Sequence, residues 1–137
     1  MKNKNKLPDI LTKTSNISLG EDGILRQTFL PSAEETEDTA KENVEAMLSF
    51  INQMNIEENK RCPILVDGRN IRSITKSARN IYQNEGRAVS LVAAALLGGS
   101  KVSMLIGNFF IGFNRPNHPI RLFTSEEKAI EWLEVFK

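Results

Sequence analysis

Two hydroxyls, Thr75 and Ser77, stand two residues apart in a stretch that also carries Arg69, Arg72, Lys76 and Arg79. A threonine or serine at a helix start accepts a hydrogen bond from a free backbone N–H, which stabilises the helix by about 1 kcal/mol and requires no further role. The same hydroxyls are candidate phosphoacceptors. A phosphate there would place roughly two negative charges beside free N–H groups and the surrounding cations, and would reverse the sign of the surface. Asp67, Arg69, Arg72, Lys76 and Arg79 are therefore candidate partner-binding residues, suited to an acidic or phosphorylated protein patch. The plainer alternative is a solvated helix face.

Other residues with chemical potential are more isolated. Gly98, Gly99, Ser100 and Lys101 resemble a phosphate cradle between a strand and a helix, but lack the spacing of a P-loop, so an ordinary tight turn explains them as well. His118 has no second histidine with which to build a metal site. Cys62 precedes Pro63 and reads as a buried thiol. Asp67 has no partner acid or base at a diagnostic spacing and reads as an acceptor of loop N–H groups. These observations lead to the expectation of a domain with no catalytic residues, no metal and no cofactor.

The elements that position Thr75 and Ser77 follow from the pattern on either side. Ile64, Leu65 and Val66 form a short apolar run closed by Asp67 and Gly68, as in a strand covered on both faces of a parallel sheet. The basic connection and helix start then lie at the carboxyl end of a central strand, where open α/β sheets place their binding surfaces. Upstream, residues 16–19 and 24–30 read as a hairpin around Gly20 and Gly23. Ser32 with Glu35 fits a capping box, followed by a helix with Ala40, Val44, Met47, Leu48, Ile51 and Met54 at helical spacing.

Beyond Thr75, Ala78, Ile81 and Tyr82 face inward on a second helix ending near Gly86. Leu91–Leu97 forms another buried strand. A third helix carries Val102, Leu105, Ile106, Phe109 and Phe113 on one face and ends at the Asn114 to Pro119 segment. Residues 120–123 form the last strand, and Thr124 with Glu127 caps a final helix bearing Ala129, Trp132, Leu133 and Phe136. The expected order is ββαβαβαβα: an α/β fold with a mixed sheet and helices packed on it, its crossovers right-handed.

Composition agrees with one soluble domain. The chain has 137 residues, 40% hydrophobic and 26% charged, with a formal charge of +1, so nothing draws it globally to nucleic acid. One cysteine precludes an internal disulfide and fits a cytoplasmic location. Residues 1–13 are expected to be a flexible basic tail, with the domain over 14–137, and no apolar run is long enough to span a membrane. Met104, Phe110 and Ile111 lie off the main stripe of the third helix. They are candidates for a homodimer contact or for a small apolar ligand, with burial inside the domain as the plainer reading.

The strand Ile64, Leu65, Val66, Asp67, the helix start at 75–79, the motif Gly107, Asn108, Phe109, Phe110 and the stretch 119–133 together resemble the SpoIIAA-like branch of the STAS fold, found in small bacterial proteins. The resemblance covers residues 16–136. It implies a single STAS-like domain related in fold to anti-sigma-factor antagonists, which bind a protein kinase partner under phosphorylation control, and to lipid-carrying relatives. Ser77 falls at the phosphoacceptor place, but the acidic Asp-Ser-Ser-Gly-like motif is replaced by Thr75, Lys76, Ser77 and Ala78. The resulting expectation is a non-enzymatic regulatory module docking a protein partner through residues 67–79; the alternative is a carrier or sensor of a small apolar ligand held near the third helix.

Overall fold

A computed structural model describes residues 7–54, 62–85, 91–99, 101 and 119–137. Its strands are β1 (Ile10–Leu11), β2 (Ser15–Leu19), β3 (Leu25–Phe29), β4 (Ala33–Glu35), β5 (Cys62–Asp67), β6 (Ile71–Ile74), β7 (Leu91–Leu97) and β8 (Ile120–Phe123). The helices are α1 (Glu37–Met54), α2 (Lys76–Asn84) and α3 (Glu126–Glu134). Six strands form one sheet in the order β1-β2-β3-β5-β7-β8, and β4 with β6 forms a separate two-stranded sheet. The β1–β2 and β2–β3 pairs are antiparallel, whereas β3, β5, β7 and β8 run parallel. This is a mixed α/β sheet, as expected.

The central strand is covered on both faces because adjacent residues feed opposite cores. Ile64 joins Ile17, Leu25, Met47, Phe50, Ile51 and Cys62 beneath α1. Leu65 joins Ile24, Ala93, Ala95, Leu97, Ala129 and Leu133 beneath α3. A smaller cluster of Phe29, Ala33 and Ile71 supports the two-stranded sheet.

Several boundaries differ from the sequence expectations. Residues expected in a loose tail include β1, whose Ile10 and Leu11 pair with Ile17 and Asn16, and Thr12, which is buried. Backbone pairing and a buried hydroxyl fix this segment where apolar content alone gave no signal. The first helix does not start at Ser32, which sits at φ 59°, but after Thr36. There the Thr36 and Thr39 hydroxyls accept from each other's backbone N–H groups at 2.8 and 3.3 Å, a reciprocal arrangement that frees Glu35 for another role. Ser125, not Thr124, caps α3 by accepting from Lys128 N at 3.3 Å. The third helix expected after Lys101, with Met104, Phe110 and Ile111, lies outside the described residues, as do Gly86 and His118.

Cys62 is buried at the start of β5, and desolvation pushes its thiol up to about 11. At pH 8 only roughly one thiol in a thousand would be ionised. Alkylation by iodoacetamide at pH 8 is accordingly expected to be slow in the folded protein and to reach the free-thiol rate in urea. Equal rates in the two states would contradict the burial.

Candidate functional site

The carboxyl ends of β5 and β7 converge through a backbone bond from Gly68 N to Leu97 O at 2.9 Å. A side chain at Gly68 would press on its surroundings, since a Cβ there would lie 3.3 Å from Ile71 Cδ1. Asp67, the last residue of β5, accepts from Arg69 three times: from the backbone N at 3.1 Å, from Nε at 2.9 Å and from Nη2 at 2.7 Å. Burial alone would raise the Asp67 carboxyl, but the Arg69 hydrogen bonds and charge outweigh it and hold the group below its usual range. Arg69 also reaches Glu126 Oε1, in the first turn of α3, at 3.2 Å. Its stem passes over Gly99, where a Cβ would stand 3.5 Å from Arg69 Cγ. Asp67 and Arg69 thus clamp β5, the turn after β7 and α3 together.

The connection from this clamp to α2 is not the open loop that its polar residues suggest. Ile71 and Ile74 belong to β6, which pairs in parallel with β4, and Ala33 N bonds Asn70 O at 3.2 Å. Ile71 points into the small core while Arg72 and Ser73 remain exposed. Thr75 then caps α2, its hydroxyl accepting from Ala78 N at 3.0 Å. The Ser77 and Thr75 hydroxyl oxygens are 3.1 Å apart, and both residues are exposed. Arg72 lies 3.9 Å from Glu34 with 70% of its side chain exposed, so that pair contributes little and leaves the guanidinium accessible. Lys76 is exposed and Arg79 is half-buried. Of the predicted residues, Asp67 and Arg69 are engaged with each other, Arg72, Thr75, Lys76 and Ser77 are exposed in β6 and at the start of α2, and Arg79 is half-buried further along the helix.

Behind α2 lies a buried polar cluster that hydrophobic periodicity did not indicate. Glu35, on β4, is 1% exposed. Its Oε1 accepts from Asn43 Nδ2 at 3.2 Å and from the Tyr82 hydroxyl. Asn43 Nδ2 also lies 2.9 Å from Tyr82 Oη and 3.0 Å from Thr14 Oγ1, so its two hydrogens serve three acceptors. On its other side Asn43 Oδ1 accepts from Thr12 Oγ1 at 2.5 Å and from Ser15 Oγ at 2.9 Å. Burial pushes the Tyr82 phenol well above its ordinary range, the neighbouring Glu35 carboxyl adds to this, and hydrogen bonds from Asn43 and Gln27 oppose it. Glu35 Oε2 is buried and has no hydrogen-bond partner among the described residues.

One signal for this cluster was present in the sequence. Asn43 sits three residues after Ala40 and four before Met47, on the apolar stripe of α1, where a polar residue must find buried partners.

No helix among the described residues is long and apolar enough to cross a membrane. No curated protein matches the chain. Its structure is similar to the crystal structure of an uncharacterised protein of the DUF3478 family with a SpoIIAA-like fold from Shewanella loihica PV-4, with a TM-score of 0.58 at 14% identity over 90% of this chain and 98% of that one. It is also similar to a protein of unknown function from Arthrobacter sp. FB24, with 34% identity over 92% of this chain and 97% of that one and a TM-score of 0.30. The strand order, the helices on both faces and the first of these likenesses identify a SpoIIAA-like fold, as residues 64–67 and 119–133 implied. The model of the domain of unknown function DUF7793 matches residues 18–137, and the chain belongs to that family.

Proposed function

We propose that the domain works by binding rather than by catalysis, docking an acidic or phosphorylated protein surface on the face formed by Arg72, Thr75, Lys76 and Ser77. The observation that carries this reading is the exposure of Thr75, Lys76 and Ser77 at the N-terminus of α2, with Arg72 exposed on the strand β6 that leads into it. Among the described residues, the groups best suited to chemistry are otherwise occupied. Asp67 is held by Arg69 and Tyr82 by Glu35, and Cys62 is a buried thiol. A phosphate on Thr75 or Ser77 would add negative charge beside Arg72 and Lys76 and would weaken binding to an acidic partner.

The test is retention of cellular proteins by the immobilised domain as salt is raised. Because exposed charge pairs are screened within a Debye length of about 8–10 Å at physiological salt, retention should fall steeply between about 0.05 and 0.5 M. Retention that does not depend on salt overturns an electrostatic docking face.

A further inference from the structure

Glu35 holds α2 at two separated points. Its backbone carbonyl accepts from Thr75 N, the N-cap residue, at 3.0 Å. Its side chain accepts from the hydroxyl of Tyr82, seven residues further along and near the other end of the helix. Both bonds come from the end of β4, itself anchored to β6 through Glu35 and Ile74. The exposed face of α2 is therefore set by a buried residue with no surface of its own.

We propose that Glu35 is the positioning residue of α2, and that through Asn43 it couples the orientation of that helix to the turn at residues 12–15. Asn43 makes the link because its amide nitrogen bonds Glu35 and Tyr82, while its oxygen bonds Thr12 and Ser15. Other groups at the cluster are neutral: Thr14 bonds Asn43 at 3.0 Å and Gln27 bonds Ser15 at 3.4 Å. Among the described residues no cation forms an ion pair with Glu35, so it is anchored by hydrogen bonds alone. Such a network is directional, and it fixes one helix position where an apolar contact would tolerate several. A partner or ligand that moves the 12–15 turn would be felt at α2. The functional meaning of this coupling rests on α2 carrying the docking face; the coupling itself does not.

Amide hydrogen exchange of the whole chain, needing no partner, tests it. Tyr82→Phe keeps the ring and removes only the hydroxyl. It should accelerate exchange of the α2 amides from Arg79 to Glu85 by about tenfold or more, leaving the Thr75 amide and those of β5 and β7 within about threefold of wild type. Thr12→Val should accelerate the same α2 amides by at least about threefold. Glu35→Gln, which retains a carbonyl oxygen for Tyr82 and Asn43, should stay within about threefold of wild type in α2. Uniform acceleration of α2, β5 and β7 in Tyr82→Phe would mean a purely global role and overturns the proposal, as does no change in α2. An unchanged α2 in Thr12→Val overturns the coupling to the turn. Loss of α2 protection in Glu35→Gln equal to that in Tyr82→Phe would show that a neutral acceptor cannot hold the helix, and overturns anchoring through hydrogen-bond acceptance. None of these outcomes depends on whether α2 docks a partner, so the coupling and the docking face fail separately.

Discussion

Phe50→Ala is expected to lower the free energy of unfolding by about 3–5 kcal/mol, measured by urea denaturation. Phe50, on α1, is 1% exposed and packs with Met47 and Ile51 of the same helix, with Ile17 of β2 and Leu25 of β3, and with Cys62 and Ile64 of β5. Truncation would lose the transfer free energy of the ring and leave a cavity between a helix and a sheet, neither of which can collapse freely. A domain of this size has about 5–15 kcal/mol in total, so the variant would lie close to the limit of folding. The slope of the transition should be unchanged, since the same surface is exposed on unfolding. A loss below about 1 kcal/mol would place the ring outside the core.

Asn43→Leu is expected to cost at least about 3 kcal/mol even though leucine has the same branched four-atom side-chain skeleton. The substitution keeps the branched shape but adds bulk at a fully buried position, so part of the loss, about 1–3 kcal/mol, comes from overpacking. It would also strip partners from Thr12, Thr14, Ser15, Glu35 and Tyr82 at one site. Buried donors and acceptors left unmade cost about 1–3 kcal/mol each, and here they lie in contact, so the losses do not average out. Asn80→Leu provides the comparison. Asn80 is exposed on α2, and the change there should stay within about 0.5 kcal/mol. Similar losses at the two positions would show that the buried cluster contributes no more than a surface amide.

Much of the fold was readable because its strongest signals are local. The run from Ile64 to Val66 gave the central strand, Leu91–Leu97 gave its neighbour, and the spacing of Ala40, Val44, Met47 and Ile51 gave α1. In each case an apolar periodicity matches the burial it reports. β4 was missed for the opposite reason. Its inward residues are Ala33 and Glu35, and a carboxyl at a buried position reads as a solvated or capping residue until Tyr82 and Asn43 are seen beside it. β6 was obscured by Arg72 and Ser73 between its two isoleucines, since four residues carry too little pattern to separate a strand from a loop.

The candidate site was readable to the level of its location and no further. Placement after β5 followed from the strand pattern, and residue type offered Thr75 or Ser77 as the helix start, of which Thr75 is the cap. The division of the basic residues was not visible in the sequence. Arg69 and Arg72 differ only in which carboxylates the fold brings to them: Asp67 and Glu126 engage the first, while the second meets Glu34 at a long distance in solvent. That difference depends on contacts between residues as far apart as 69 and 126, for which a single sequence holds no periodic signature.

The docking face is tested most directly by reversing its two accessible cations while leaving the Asp67–Arg69 clamp intact. Arg72→Glu combined with Lys76→Glu changes exposed side chains only, so circular dichroism and the urea transition should match the wild type to within about 1 kcal/mol. Compared in pull-down at low salt, the wild-type domain should retain a specific protein that the folded double variant releases, with at least about tenfold less recovered. Equal recovery by the folded double variant would contradict docking through the face at the start of α2.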